Sequence, residues 1–284
     1  MMDKYAVIGD PIAHSLSPVM QNAGFAALGI DADYSAVHVK NEGLPEFAES
    51  ARKKLKGFNI TVPHKNAIIP FLDGVSEEGK LAGSVNTVSV KDGKLHGDST
   101  DGYGLATAIK ESFDISVSGN SFCFIGCGGA AAATAFYFAA KGARSLFFIN
   151  RTLAKAEALA GKIRTSFNNV KVECSPNDDY DKISAFINAS AVAVQCTSLG
   201  LKNDDPTPLP FELLKKDICY YETIYRETKL LTQARKSGMK TADGRSMLLH
   251  QGAKAFSIWT GGNAPVEAMR KALYDAIDKR DKKQ

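Results

Sequence analysis

With 284 residues, 44% of them hydrophobic and 23% charged, the chain is long enough for two domains of ordinary size, each with a core of its own. No run approaches the roughly 18 consecutive apolar residues of a membrane span. A net charge of +4, much of it in the tail from Asp278 to Gln284, is too mild and too local for a nucleic-acid surface. Five cysteines (Cys123, Cys127, Cys174, Cys196, Cys219) make an odd set without metal-ligand spacing, and Met1-Met2-Asp3-Lys4 lacks a signal-peptide pattern. Reduced thiols, no metal and a cytoplasmic location are therefore expected.

The first predicted strand, Lys4 to Gly9, leads to Ser17-Pro18, which pairs a capping serine with a proline at the first helical position. That helix turns Met20, Phe25 and Leu28 inward and stops near Gly29. Asp33 to Val39 reads as a strand, Leu44 to Leu55 as an amphipathic helix with a basic outer face, and Gly57 to Val62 as a third strand. Together they form a βαβαβ unit with a mostly parallel sheet. Pro63-His64-Lys65 starts a helix, Val75 to Leu81 is another, and Val85 to Val90 pairs with Lys94 to Gly97 about the Asp92-Gly93 turn. Asp101 to Phe113 is a helix bridging into a second domain.

That second domain opens with an apolar run, Ser121 to Ile125, then Gly126-Cys127-Gly128-Gly129-Ala130, an alanine-rich helix to about Lys141 and a second apolar run, Leu146 to Ile149. Strand, glycine turn, helix, strand is the context that gives a dinucleotide fingerprint its meaning. Gly126 makes the tight turn, Gly128 lets backbone N–H groups approach a pyrophosphate, and Ala131 fills the slot where helix and strand pack closely. At the end of the second strand, where an NAD site would place a carboxylate, stand Asn150-Arg151-Thr152, with Lys155 one turn on. A guanidinium there suits a 2′-phosphate, so the cofactor expected is NADP. The plainer alternative is a solvated Arg151 beside a helix-capping Thr152. Strands at 170–174, 191–196 and 218–221 continue the alternation, Asn203 to Pro210 is a proline-rich loop, and helices from Met247 onward return to the first domain.

Chemistry is expected at the carboxyl ends of the first-domain strands. Ser15, Ser17, Asn59, Thr61, Lys65, Asn86, Asp101 and Gln251 make a set of hydroxyls and amides with one amine and one carboxylate. Such a set suits a small polyhydroxylated acid and has no stacking platform for a base. Against this, Ser17 and Asp101 are placed to cap helices and Lys65 to be a first-turn surface charge; His14 and His64 lie close by without a carboxylate partner in sequence.

The motifs that carry these residues resemble the shikimate dehydrogenase family: Gly9-Asp10-Pro11-Ile12-Ala13-His14-Ser15-Leu16-Ser17-Pro18, Asn59-Ile60-Thr61-Val62-Pro63-His64-Lys65, Ala82-Gly83-Ser84-Val85-Asn86-Thr87, Gly97-Asp98-Ser99-Thr100-Asp101-Gly102, Gly126 to Ala130, Asn150-Arg151-Thr152, and Gln251-Gly252 with Phe256 and Trp259-Thr260-Gly261. The resemblance implies an α/β chain with an N-terminal, mostly parallel substrate domain (residues 1–101, completed by helices in 245–284), a Rossmann-like NADP domain (102–244) and a cleft between them. It implies NADP-dependent, reversible reduction of 3-dehydroshikimate to shikimate on the way to chorismate and the aromatic amino acids, by a monomer or homodimer. Ser15 and Ser17, helped by Tyr225, would hold the substrate carboxylate; Asn59, Thr61, Asn86 and Gln251 would bind ring hydroxyls; Lys65 and Asp101 would form the catalytic pair. Gly126, Gly128, Gly129, Ala130, Asn150, Arg151, Thr152, Lys155, Thr197, Thr223 and Gly244 would bind the cofactor.

Two stretches depart from the family pattern: Gln195-Cys196-Thr197-Ser198 stands where Asn-Ala-Thr-Ser is usual, and Tyr221 to Leu230 replaces a tyrosine-aspartate stretch that ends in proline and threonine. Relatives that act on quinate tend to carry threonine at the position of Ser17, so shikimate is expected ahead of quinate or mixed specificity, and turnover ahead of a ligand-sensing role.

Overall fold

The computed structural model describes residues 2–282, so Lys283 and Gln284 of the basic tail lie outside the described residues. The chain divides into two compact units, Met1–Gly104 with Leu248–Gln284, and Leu105–Met247.

In the first unit the elements run β1 (Asp3–Gly9), α1 (Ser17–Ala27), β2 (Ala32–His38), α2 (Leu44–Lys54), β3 (Gly57–Ile60), α3 (His64–Ala67), β4 (Gly74–Val75), α4 (Glu77–Ala82), β5 (Thr87–Lys91) and β6 (Lys94–Asp98). α5 (Asp101–Phe113) then carries the chain into the second unit. The sheet order is β2-β1-β3-β5-β6-β4. β1 is parallel to β2 and β3, whereas β3–β5 and β5–β6 are antiparallel, so the sheet is mixed, with its parallel half at the N-terminal strands. Asp92 and Gly93 both have positive φ, as a two-residue hairpin turn of the mirror-image type requires.

β1 is buried on both faces, which explains its unbroken apolar run. Ala6 and Ile8 pack with Val39, Leu44, Phe58 and Ile60 under α2. On the opposite face Tyr5 stacks on Phe25 of α1 at 4.9 Å. Two local expectations fail here. Ser17 is not the cap of α1; the cap position falls on Leu16, which makes no side-chain cap bond, and the N–H of Ser17, already helical, donates to Ser15 Oγ at 3.3 Å. Leu28 is 49% exposed, because α1 ends at Ala27 and the side chain falls beyond the last buried turn. The segment 75–81 also divides: Val75 joins the sheet, Ser76 caps, its Oγ accepting from Gly79 N–H, and the helix starts at Glu77. β5 starts at Thr87 and not Val85, because Val85 N–H is taken by the carbonyl of Lys65.

The second unit alternates strictly: β7 (Ser121–Ile125), α6 (Gly129–Ala140), β8 (Ser145–Ile149), α7 (Leu153–Ser166), β9 (Lys171–Ser175), α8 (Tyr180–Asn188), β10 (Val192–Gln195), β11 (Cys219–Glu222), α9 (Lys229–Lys236) and β12 (Thr241–Ala242). All neighbours in the order β12-β11-β10-β7-β8-β9 are parallel. The order reverses at β7, which places a ligand crevice beyond the carboxyl ends of β7 and β10. Phe122, Phe124 and Phe148 pack with Phe138 or with one another on one face, while Cys123, Ile125, Phe147 and Ile149 join Ile183, Phe186 and Leu230 on the other. α10 (Gly244–Thr260) then returns to the first unit, and α11 (Val266–Asp281) packs on α1.

Trp259 of α10 donates Nε1–H to the carbonyl of Val88 at 2.9 Å, and its indole lies flush on Gly57 at the start of β3. A Cβ at residue 57 would overlap a ring that cannot swing away without losing that bond. Gly57→Ala should cost about 2–3 kcal/mol in denaturant unfolding, the upper part of the range for overpacking a filled site, whereas an exposed Gly93→Ala, strained only by its φ of 70°, should cost less.

Candidate active site

The first-unit candidates converge on one pair. Lys65, on α3, donates to Asp101 Oδ2 at 2.5 Å, and the two side chains are 19% and 6% exposed. The carboxylate's other oxygen accepts from Asn86 Nδ2 at 2.8 Å. Asp101 thus spends its charge on side chains, although it stands at the first position of α5. Asn86, just ahead of β5, is itself locked: its Oδ1 accepts from Thr100 N–H at 2.8 Å, and its Nδ2 also reaches Gln251 Oε1 at 3.2 Å. Gln251 in turn donates to the carbonyl of Leu248 at 2.9 Å.

These bonds fix the polarity of each group. Asn59 gives its two N–H groups to the carbonyl of Asn86 and to Thr87 Oγ1, both at 3.0 Å, and its Oδ1 accepts from Tyr34. What remains toward a ligand is one acceptor lone pair on Asn59, one N–H on Gln251, further N–H groups on Lys65 and carboxylate lone pairs on Asp101. Donors and acceptors side by side match neighbouring hydroxyls. Thr61, one residue past β3, lays its methyl against Gly9, and Ser15 and Ser17 sit at the mouth of α1. His64 is no proton carrier here: it is fully buried, with Nε2–H on the carbonyl of Val39 at 2.5 Å and Nδ1 without a partner, so it anchors the turn that presents Lys65. His14 is exposed in the preceding loop. Tyr225 belongs to the second unit, half-buried on the turn after β11.

In the second unit Gly126 has a φ of 99°, and a Cβ there would come within 2.7 Å of Thr197 Cγ2, so only glycine makes this turn. Nothing lies within 4 Å of where Cβ atoms of Gly128 and Gly129 would stand, and α6 opens there with no side-chain cap. That is bare helix N-terminus with open space before it, as a pyrophosphate needs. Ala131 is fully buried at the close helix–strand contact. Asn150 Oδ1 accepts from Cys127 N–H at 3.2 Å, tying the glycine turn to β8. Gly126, Asn150, Arg151, Thr197, Ser198 and Asn177 are among the residues around a pocket of about 230 Å³, none of them a carboxylate. Thr152 occupies the cap position of α7 without a side-chain cap bond, and Lys155 is exposed in the first turn. A phosphorylated ribose fits this chemistry better than a bare one.

Comparison with known proteins agrees along the chain. Residues 7–88 match the shikimate dehydrogenase substrate binding domain, 107–200 the shikimate / quinate 5-dehydrogenase family and 244–274 the shikimate 5'-dehydrogenase C-terminal domain. A shikimate dehydrogenase (NADP(+)) of Aquifex aeolicus is 40% identical over 95% of this chain and 96% of its own. The chain belongs to the shikimate dehydrogenase family. Among solved structures, a Listeria monocytogenes shikimate 5-dehydrogenase in complex with shikimate and NAD is 34% identical, with a TM-score of 0.90 and 96% of each chain covered. A Thermus thermophilus enzyme in complex with NADP(H) and shikimate is 33% identical, with a TM-score of 0.85, 97% of this chain and 100% of its own.

The two stretches unusual for a shikimate dehydrogenase are internally satisfied. Gln195 is fully buried; its Oε1 accepts from Thr197 N–H and its Nε2 donates to the carbonyl of Leu199 at 3.0 Å, so the longer amide pins the turn over Gly126. Thr223 donates its hydroxyl to the carbonyl of Gln195 at 2.7 Å, and Gly244 backs onto the Thr223 carbonyl so closely that no side chain fits. Glu222, which sequence reasoning did not single out, lies fully buried beneath this turn. It accepts from Ile224 N–H, Tyr220 Oη and Thr228 Oγ1, each at 3.2 Å. Burial is the main cause that pushes its carboxyl up from 4.5 to about 7, with Asp243 adding repulsion and the three hydrogen bonds opposing. The Cys196 thiol faces it as well, and burial keeps that thiol protonated.

A carboxyl raised on folding binds its proton more tightly in the native state, so the stability it contributes is complete below pH 4.5 and lost as pH rises to about 7. Glu222→Gln, which keeps the neutral form's shape, should abolish a loss of order 2–3 kcal/mol across that window. Urea unfolding of both proteins at pH 5 and pH 8 reads the difference directly.

Proposed function

We propose that this chain catalyses the NADP-dependent, reversible reduction of 3-dehydroshikimate to shikimate, a step toward chorismate and the aromatic amino acids. The observation that carries the reading is the shielded Lys65–Asp101 pair, set among amides whose remaining valences suit adjacent hydroxyls. Its location is the cytoplasm, where five unpaired cysteines persist as thiols. It works on a small molecule, as a monomer or homodimer.

Bound NADPH would supply a hydride to the ketone carbon, and the remaining work falls to the chain. Lys65 donates a proton to the ketone oxygen as negative charge develops there, so the product is a secondary alcohol and the amine is left neutral until solvent reprotonates it. Asp101 orients the ammonium through Oδ2, which aims Lys65 as an acid in the reducing direction. Asn86 holds Asp101 still through Oδ1, and that saves the pair from reorganising during transfer. Asn59, Thr61 and Gln251 bind ring hydroxyls, Asn86 orders Asn59, Gln251 and Asp101 through its own bonds, and Ser15 and Ser17 hold the carboxylate. For the cofactor, Gly126, Gly128, Gly129 and Ala130 offer backbone amides to the pyrophosphate. Arg151, with Asn150, Thr152 and Lys155, receives the 2′-phosphate; Thr197, Thr223 and Gly244 line the nicotinamide end.

Initial rates with 3-dehydroshikimate and NADPH test this. Lys65→Ala should lower kcat about 10²–10⁴-fold, the usual worth of a positioned general acid, with shikimate affinity changed far less; near-wild-type kcat with weakened binding would sink the assignment. Arg151→Ala should raise KM for NADPH about tenfold or more while leaving NADH turnover unchanged, since a charge-assisted phosphate contact is lost only in the first case.

A further inference from the structure

Tyr34 lies in the middle of β2, opposite Tyr5 of β1, and is 1% exposed. Its placement is rigid. Asn22 of α1 donates to its carbonyl at 2.9 Å and accepts its N–H at 2.8 Å, and its ring sits 6.0 Å from that of Trp259. From this seat the phenol donates to Asn59 Oδ1 at 2.7 Å, and the Ser17 hydroxyl faces the same phenol oxygen. Burial holds the phenol well above its ordinary pKa of 10, so it remains a donor wherever the protein is folded.

A primary amide can present either its oxygen or its NH₂ to a ligand, and only its surroundings decide which. For Asn59, turning the amide over would set its oxygen against the Asn86 carbonyl, which can only accept, so that carbonyl fixes the NH₂ end and leaves Oδ1 facing the phenol. The buried phenol then holds that oxygen in place and occupies one of its lone pairs, which decides where the other can point. Resting on the functional reading above, we propose that Tyr34 is a positioning residue for substrate recognition: it holds Asn59 Oδ1 so that the oxygen's remaining lone pair selects a hydroxyl, and disfavours a carbonyl or ether oxygen, at one position of the ring.

The test compares wild type, Tyr34→Phe, Asn59→Ala and the double variant, by steady-state kinetics with shikimate and NADP⁺ and by calorimetric binding of shikimate and of its single-deoxy analogues. Tyr34→Phe should raise KM and Kd for shikimate about tenfold, because an Asn59 oxygen no longer held in line must be ordered when the ligand binds. KM for NADP⁺ should stay unchanged and kcat within about threefold of wild type. In the Asn59→Ala background the same change should add less than about twofold, since residues acting through one bond are not additive. One deoxy analogue should bind wild type and Tyr34→Phe equally, and it identifies the hydroxyl. If Tyr34→Phe fails to fold, Asn59→Ala takes its place: it must lose discrimination against that one analogue, and retained discrimination overturns the proposal. A shikimate KM within twofold of wild type in Tyr34→Phe, or effects that multiply fully in the double variant, overturns it even where thermal stability falls. An inactive wild type would overturn the functional reading and this proposal with it; an active wild type with an unaffected Tyr34→Phe overturns the proposal alone.

Discussion

An ammonium and a carboxylate held at 2.5 Å and almost cut off from water set the terms for the first unit. Desolvating two charges costs more than their attraction returns unless their other hydrogen-bonding positions are filled. Here Asn86 fills one for Asp101, and Thr100 and Gln251 hold Asn86 in turn. The pair is therefore the centre of a network reaching from β3 through the β5 entrance and α5 to α10, segments far apart in sequence. Lys65 reaches it because the start of α3 is tied down twice, by His64 on the Val39 carbonyl and by the Lys65 carbonyl accepting from Val85 N–H.

The second unit solves a different problem with backbone. A helix start stripped of side chains suits an anion there, and the glycine at the turn is enforced by Thr197 pressing on it. Gln195 and Glu222 then stiffen the two turns that follow β10 and β11 from below, each by three hydrogen bonds. Both turns, although they depart from the family pattern, are therefore pinned.

How much of this could be read in the sequence depends on how local the cause is. β7, the glycine turn, α6 and β8 were legible because both faces of the strands are buried and the turn needs glycine for steric reasons contained within a few residues. The segment at 75–81 was not, since Ser76 as a cap competes with the apolar spacing that suggested a longer helix. Ser17 looked like a cap because Ser-Pro usually is one, yet the cap position falls on Leu16 and Ser17 is already helical. Lys65, Asp101, Asn59, Asn86 and Gln251 could be named as candidates, but their mutual bonds span 15 to 165 residues of chain, and no spacing rule predicts them. Tyr34 and Glu222 were invisible for the same reason: a tyrosine in a strand and a glutamate at a strand end look ordinary until their burial and partners are known.

The central claim is a charged Lys65 held by an unprotonated Asp101 and poised to give up a proton. Neutron diffraction from deuterium-exchanged crystals of the shikimate complex reads it directly. The expected map shows three deuterons on Lys65 Nζ, one of them directed at Asp101 Oδ2, and none on the carboxylate. A deuteron on Asp101, or an Nζ with two deuterons turned away from it, would contradict the account.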